Sequence, residues 1–288
     1  LHARLTDDSQ LHVQAFLYAR RFYQHWQQQL ADFAMDWCGL LHLATNDQLQ
    51  LRQQKLLQNK CWPQELVQGV DAITATELAG VPLRHSGIYF PLAGWLNPKQ
   101  FCQQALHYLT QQASFSIVLN CQVNQLEHSG TYWQVHCKDQ TRHAAALILA
   151  CGSKLANFSQ TAALPLNKIR GQVSHVQHAP MAPLKTVLCH KGYITPQWQG
   201  LHCVGATFDR DATEATLKSQ DDTENLQLVE QQLQRPDWFN GAAVVSAAAA
   251  FRATLPDHLP VAGAMLQADK LYIIGGLGAR GIMLSPLL

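Results

Sequence analysis

The sequence predicts an α/β protein with two lobes, the second of which belongs to the α+β class. The length of 288 residues suggests two lobes rather than one compact unit. Two apolar segments, residues 144–150 and 271–274, are typical of buried strands of an α/β lobe. A largely antiparallel block lies between them in the sequence, so each lobe is expected to consist of discontinuous segments.

The first third of the chain predicts one long helix followed by mixed elements. Residues 11–30 have apolar side chains at helical spacing, which predicts an amphipathic helix. Residues 35–57 alternate in short pieces, which predicts an antiparallel hairpin that turns near residues 46–47. A short helix is predicted within residues 70–83, because residues 74–78 have a helix-start pattern that Gly80 and Pro82 would end.

The remainder of the chain predicts two helices among many strands. Residues 88–90 predict a short aromatic strand that leads into Gly94 and Trp95. Asn97 and the proline after it supply an N-cap and a first-turn proline for a helix over residues 98–112. The predicted strands cover residues 115–120, 122–127, 132–138, 144–150, 168–176, 186–189, 192–195, 201–206, 242–253 and 271–274, and a helix is predicted over residues 221–234.

A glycine-rich turn follows the last predicted strand. Gly276, Gly278 and Gly281 have the spacing G-x-G-x-x-G, which brings backbone amides close to a cofactor or its phosphates. Only seven residues follow Gly281, so a complete βαβ nucleotide unit has no room here. Two interpretations stay open at this point: a structural turn, or a cofactor contact in a fold whose nucleotide site lies elsewhere.

Four polar side chains are candidates for chemistry. Arg170 and Arg252 lie in otherwise apolar strands, where an arginine needs an anionic partner. That partner is either a ligand or an internal carboxylate, for which Asp257 and Glu77 are the candidates. Arg280 could contact whatever the glycines approach or cap the final helix. Tyr193 could pack in the core or contact substrate. These alternatives remain open from the residues alone.

Bulk composition excludes several classes of protein. The formal charge of +1 gives no basic footprint over the whole chain, although it leaves a local patch possible. The longest apolar run, residues 242–251, is too short to span a membrane, and residues 1–10 do not form a secretory leader. The chain begins without methionine and stops just after a helix begins, which suggests a fragment.

Neither the cysteines nor the histidines predict a metal site. The eight cysteines are scattered without C-x-x-C spacing, and we expect them to be reduced in a cytoplasmic protein. His175 and His178 lie three apart in a predicted strand, which points them to opposite faces.

Seven segments in the same order resemble the D-amino-acid oxidase family of FAD-dependent oxidoreductases. They are Gly94-Trp95 before a helix, the strand ending at Gly152, Ile169-Arg-Gly-Gln172, Tyr193-Ile-Thr-Pro196, Gly205-Ala-Thr207, Arg252 followed by Pro256-Asp-His-Leu-Pro260, and the terminal strand with its glycine turn. The chain departs from the family in lacking its N-terminal βαβ segment, and Ala93 stands where relatives usually have glycine. Within the family, three motifs are most similar to the oxidoreductase half of bifunctional tRNA-modifying proteins.

The resemblance implies FAD as cofactor and a D-amino-acid oxidase-like fold. A Rossmann-like FAD-binding lobe would comprise residues 1–34, 96–164 and 255–288, and an antiparallel substrate lobe would comprise residues 35–95 and 165–254. It also implies catalytic roles for Arg252, which would hold a substrate carboxylate, Tyr193 and Arg280. The implied cofactor-binding residues are Gly94, Trp95, Gly152, Gly276, Gly278, Arg280, Gly281 and Ile282.

The resemblance also implies a substrate. The enzyme would oxidatively remove the carboxymethyl group of 5-carboxymethylaminomethyl(-2-thio)uridine at the tRNA wobble position, giving the aminomethyl form and glyoxylate. The protein would be monomeric or fused to a methyltransferase domain, and cytoplasmic, without a membrane or metal partner. Two alternatives remain: a small-molecule oxidase of glycine, sarcosine or D-amino acids, and a non-catalytic domain that has lost its cofactor.

Overall fold

The computed structural model describes residues 9–30, 33–59, 62–138 and 140–288. The helices are α1 Ser9–Gln29, α2 Asp47–Asn59, α3 Ala72–Ala79, α4 Pro98–Thr110, α5 Ser219–Leu233 and α6 Gly281–Leu284. The strands are β1 Met35–Asp36, β2 Leu40–Leu43, β3 Gln68–Val70, β4 Gly87–Phe90, β5 Trp95–Leu96, β6 Val123–His128, β7 Trp133–Cys137, β8 Thr141–Ala144, β9 Leu147–Leu149, β10 Asn167–Gln177, β11 Val187–Cys189, β12 Tyr193–Ile194, β13 His202–Gly205, β14 Ala243–Thr254, β15 Val261–Ala264 and β16 Leu271–Gly275. The mixture confirms the predicted α/β class.

The chain divides into two compact units, each of which is discontinuous in sequence. The first unit comprises Leu1–Cys102 and Arg170–Ala250, and the second comprises Gln103–Ile169 and Phe251–Leu288. The assignment of the five predicted segments to a cofactor lobe and a substrate lobe stays a prediction.

The first unit is built on an eight-stranded sheet with the order β14-β10-β13-β12-β11-β2-β4-β3. β11 and β2 pair in parallel, whereas β2 and β4 pair antiparallel. Because successive side chains of a strand point to opposite faces, Leu41 packs in a core with Val229 of α5. Leu40 packs in a second core with Ile88 and Phe90. Each fully buried side chain of this kind contributes about 1.5–3 kcal/mol.

A buried ion pair connects this sheet to α5. The guanidinium of Arg170 is fully buried and donates to the Asp221 carboxylate, to the Thr216 carbonyl and, at 2.9 Å, to Gln172 Oε1. The internal-carboxylate interpretation of Arg170 is therefore confirmed, but neither Asp257 nor Glu77 is its partner. Asp221 lies about 50 residues away in sequence, and only the packing of α5 on β10 brings it near.

Further hydrogen bonds join β10 to α5 and to the residue before it. Gln172 Nε2 donates to the Lys218 carbonyl at 2.8 Å and to Asp222 Oδ1 at 2.9 Å. Ser174 Oγ donates to the same Asp222 oxygen at 2.6 Å, and Asn225 Nδ2 donates to the Gln172 carbonyl at 3.1 Å. This network satisfies polar groups that would otherwise destabilise a buried strand.

The second unit contains two three-stranded sheets, ordered β15-β16-β9 and β6-β7-β8. β9 and β16 are parallel, with Leu147 opposite Leu271 and Leu149 opposite Ile273. Their buried face forms one core with Trp133 of β7. The Trp133 indole also donates to the Asp269 carbonyl at 2.9 Å, so the packing is accompanied by a satisfied polar contact.

Two element predictions are wrong. Residues 47–57 belong to helix α2 rather than to a hairpin, because Asn46 Oδ1 caps the Leu49 amide at 2.9 Å and the segment consists of good helix formers. Residues 115–120 form no strand: they pair with no described strand, and Leu119 is 70% exposed. Apolar composition favours a strand only where a partner strand lies beside it. β3, β5, β8 and β15 were not predicted.

The expectation that all cysteines are reduced is also wrong. Cys121 and Cys137, which flank the β6–β7 hairpin, form a disulfide. The free cysteines among the described residues are Cys38, Cys102, Cys151, Cys189 and Cys203. Cys61 lies outside the described residues.

The described part of the chain contains neither a membrane-spanning helix nor a cluster of metal-ligating side chains. None of its helices is both long and apolar enough to cross a membrane. None of its histidine, cysteine, aspartate and glutamate side chains form a group of three or more that could hold a metal ion.

The buried His190 predicts a loss of stability in acid. Its Nδ1 accepts the Gly192 amide at 3.0 Å, and its Nε2 is buried without a partner among the described residues. Burial, together with the nearby His42, lowers the pKa of His190 from 6.5 to about 4. Between these values the unfolded chain binds a proton that the folded chain excludes. Stability is therefore complete above about pH 6.5 and falls by up to about 3 kcal/mol towards pH 4.

The measurement is the urea midpoint of the wild-type protein and of His190→Asn between pH 4 and pH 7.5. We expect the variant to be less stable at pH 7.5 but to have a shallower dependence on pH. Parallel pH dependences of the two proteins would contradict the assignment to His190.

Candidate functional site

Two glycine-containing loops lie at the same edge of the parallel strands of the second unit. β9 ends at Leu149 and leads to Gly152, while β16 ends at Gly275 and leads to Gly276. Since Leu149 lies opposite Ile273, the two strands end side by side. The carboxyl edge of parallel strands is where ligands bind in open α/β sheets.

The backbone conformation requires glycine at three of the predicted positions. Gly152, Gly276 and Gly278 have φ values of +55°, +68° and +55°. A side chain in this left-handed region costs about 1–2 kcal/mol. A Cβ on Gly278 would also lie 3.0 Å from Thr254 Cγ2, whereas a Cβ on Gly152 would meet nothing within 4 Å. The space beside Gly152 is therefore open and can accept a bound group.

The strand that carries Arg252 reaches this glycine turn. Thr254 of β14 forms an antiparallel bridge with Leu277, inside the turn. Arg252 lies two residues before Thr254 and is half-buried. Arg280 stands at the start of α6 and makes no side-chain capping hydrogen bond, so the capping interpretation is not supported. The second unit thus gathers the predicted residues Arg252, Gly152, Gly276, Gly278, Arg280, Gly281 and Ile282.

The other predicted residues, Gly94, Trp95 and Tyr193, lie in the first unit. A Cβ on Gly94 would clash sterically with the Asp36 carbonyl oxygen. The packing of the chain itself therefore requires this glycine. The indole Nε1 atoms of Trp95 and Trp37 are buried without a hydrogen-bond partner among the described residues. Buried indole N–H groups normally find an acceptor, and a bound polar group would supply one.

Tyr193 begins a row of polar side chains on one face of the large sheet. Its hydroxyl lies 3.9 Å from Cys203 Sγ, and Cys203 lies directly opposite His175 on β10. His175 Nδ1 lies 2.9 Å from Ser246 Oγ on β14. The sequence indicates no role for Cys203, Ser246 or Trp37, because strand alternation shows which face a residue occupies but not which strand lies beside it.

His178 has a different environment from His175. Its ring lies 5.6 Å from that of Phe239, a member of the core that also contains Val176. The predicted placement of the two histidines on opposite sides is confirmed.

Two open clefts of the first unit contain none of the predicted site residues. A cleft of about 510 Å³ lies between residues 207–211 and α5, and carries Asp211 and Glu224 beside the Arg170–Asp221 pair. A neighbouring cleft of about 380 Å³ shares Thr207, Phe208 and Glu224 with it.

The second unit has parallel strands with glycine-containing loops at their carboxyl ends, and the first unit is built on a large mixed sheet. Loops at this edge of parallel strands are where α/β proteins bind ligands such as dinucleotide cofactors. The sequence matches the family described as FAD dependent oxidoreductase over residues 1–288, and the chain belongs to this family. FAD is the cofactor that this family uses. The open space at Gly152 fits such a group.

The relatives are bifunctional proteins. The tRNA 5-methylaminomethyl-2-thiouridine biosynthesis bifunctional protein MnmC of Pseudoalteromonas translucida is 34% identical and matches 100% of this chain and 47% of its own length. The protein of the same name from Shewanella frigidimarina is 32% identical and matches 97% of this chain and 46% of its own length. The chain therefore spans about half the length of these relatives.

Solved structures share the fold. Glycine oxidase from Geobacillus kaustophilus superposes with a TM-score of 0.83 at 21% identity, covering 100% of this chain and 78% of that chain. Iminodiacetate oxidase from Chelativorans sp. BNC1 superposes with a TM-score of 0.82 at 20% identity, covering 99% of this chain and 80% of that chain. At this identity the likeness concerns the fold alone.

Proposed function

We propose that this chain is the oxidoreductase part of a longer tRNA-modifying protein. It removes the carboxymethyl group of 5-carboxymethylaminomethyl(-2-thio)uridine at the tRNA wobble position, leaving the aminomethyl form and glyoxylate. The observation that carries the proposal is the match of 97–100% of the chain, at 32–34% identity, to two bifunctional proteins named for this pathway. The proposed partner is tRNA with the modified uridine, the remainder of the protein contains a methyltransferase, and the protein is monomeric and cytoplasmic.

The residues of the chain have separate tasks in this reaction. The reacting group is an N-substituted glycine, and Arg252 binds its carboxylate through paired hydrogen bonds. Tyr193 lines the substrate side, and no protein nucleophile is required. FAD, when bound, supplies the two-electron oxidation of the carbon–nitrogen bond, after which water releases glyoxylate. Gly152, Gly276 and Gly278, with Arg280, Gly281 and Ile282, hold the cofactor, as do Gly94 and Trp95.

The test uses the full-length, flavin-loaded protein and tRNA that carries the carboxymethylaminomethyl group. We expect one glyoxylate to be released for each tRNA converted to the aminomethyl form. Glycine, sarcosine and D-amino acids are assayed in parallel. A protein that oxidises one of these amines efficiently and leaves the tRNA unchanged would instead be a small-molecule amine oxidase. A full-length protein without bound flavin would be a non-catalytic member of the fold.

The Gly152→Ala variant tests the cofactor contact separately. A Cβ at Gly152 meets no protein atom within 4 Å, so we expect the apoprotein to lose only about 1–2 kcal/mol to the strained φ. A flavin that approaches this backbone would be displaced, and we expect flavin content to fall severalfold. Gly130→Ala is the matched control, because Gly130 also has positive φ and open space but lies in the β6–β7 turn. Equal flavin content in both variants would rule out the contact.

A further inference from the structure

The row of side chains that begins at Tyr193 has no role in the proposed reaction beyond Tyr193 itself. This row, which we call the cross-strand row, consists of Tyr193, Cys203, His175 and Ser246 and crosses four neighbouring strands, β12, β13, β10 and β14. Direct partners on antiparallel strands point to the same face, which places Cys203 beside His175. At one end of the row the Tyr193 hydroxyl lies 3.9 Å from Cys203 Sγ, and at the other end His175 Nδ1 lies 2.9 Å from Ser246 Oγ.

The cross-strand row lies on the face of the sheet opposite α5, where Tyr193, Cys203 and His175 are half-buried. The residues next to it in sequence point the other way: Val204 and Ile194 pack in the core with α5, and Ser174 donates to Asp222 of that helix. Ser246 is exposed, and His175 Nε2 has no hydrogen-bond partner among the described residues. Both ends of the His175–Ser246 pair can therefore reach a ligand.

The chemistry of the cross-strand row is uncharged. Burial lowers the pKa of His175, which keeps the imidazole neutral near pH 7. Burial also raises the pKa of Cys203 to about 11, which keeps the thiol protonated. Neutral imidazole and hydroxyl groups each combine a donor and an acceptor. Such groups complement an uncharged ring with alternating donors and acceptors, whereas a carboxylate or phosphate calls for a cation.

We propose that His175 and Ser246 bind the hydrogen-bonding edge of the uracil ring of the substrate. An unstacked pyrimidine presents carbonyl acceptors on both sides of a ring N–H, and proteins read single-stranded RNA through such edges. The inference rests on the proposed function, in which Tyr193 lines the substrate side. The cross-strand row then extends that side from the reacting amine to the base, and it distinguishes a nucleoside from free glycine or sarcosine.

The test measures kcat and KM of the full-length, flavin-loaded protein on the modified tRNA. Loss of one hydrogen bond to a bound substrate corresponds to a factor of about 2–10. We expect His175→Ala to raise KM for tRNA about fivefold to tenfold and to leave kcat within about twofold. His175→Gln, whose amide reaches the position of Nε2, should recover part of this loss. His143→Ala, an exposed histidine on β8, should change neither constant.

Flavin content and thermal midpoint are measured for every variant. An unchanged KM in His175→Ala would overturn the inference, as would a fall in kcat that accompanies lost flavin. The reaction with sarcosine separates this failure from failure of the proposed function. A wild-type protein that oxidises sarcosine and not tRNA refutes the proposed function. If the wild-type protein converts tRNA and His175→Ala does so with the same KM, only the uracil site is refuted.

Discussion

Replacing Arg170 with alanine should lower the free energy of unfolding by about 3–5 kcal/mol, the cost of breaking a buried ion pair by removing one partner. Arg170 is fully buried, and its removal leaves the Asp221 carboxylate and the Thr216 carbonyl without their donors. The change also disturbs Gln172, which the guanidinium orients at 2.9 Å. The measurement is urea unfolding at pH 7.

Lys218→Ala is the control, because it removes a cation from an exposed ion pair in the same region. Lys218 Nζ lies 3.1 Å from Asp209 Oδ2, with side chains that are 46% and 32% exposed. An exposed pair of this kind contributes about 0–1 kcal/mol. A loss below about 1 kcal/mol for Arg170→Ala would show that the buried pair does not stabilise the fold. The double variant Arg170→Met with Asp221→Leu, which removes both charges, should be more stable than either single variant.

The second large effect concerns activity. Arg252→Ala should lower kcat/KM on the modified tRNA by about 10²- to 10³-fold, equivalent to about 3–4 kcal/mol, if its guanidinium holds the substrate carboxylate. Arg252 lies two residues before the bridge between Thr254 and Leu277, which places its strand against the glycine turn. Arg252→Lys keeps the charge and loses the paired geometry, so it should retain intermediate activity.

Arg142→Ala is the control for charge, because Arg142 is exposed on β8 and bonds only to Gln140 among the described residues. Its activity should equal that of the wild type. Flavin content separates substrate binding from cofactor loss, and it should stay unchanged in Arg252→Ala. Normal activity of Arg252→Ala on the modified tRNA would remove the carboxylate role.

Local sequence signals predicted the elements that local physics determines. As predicted, Gly80 ends α3 in the left-handed conformation and Asn97 caps α4, whereas the N-cap of α3 is Asp71 and not the predicted start at Thr74. The glycine spacing also predicted the turn after the last strand. Gly276 and Gly278 adopt positive φ there, which other residues rarely do. Two element predictions failed for different reasons. Residues 115–120 have the composition of a strand without a described neighbour, and residues 47–57 have an alternation that helix propensity overrides.

The sequence by itself determined the α/β class and the glycine-rich turn after the last strand, since these follow from periodicity and motif. The roles of Arg252 and Tyr193 are implied by the family resemblance and stay predictions. The tertiary structure decided which residues meet. It selected Asp221 for Arg170, joined Cys121 to Cys137, and aligned Cys203, His175 and Ser246 across three strands. The reason is physical: strand alternation and helix period are local properties, whereas strand pairing and buried charge compensation are settled by packing between segments far apart in the chain.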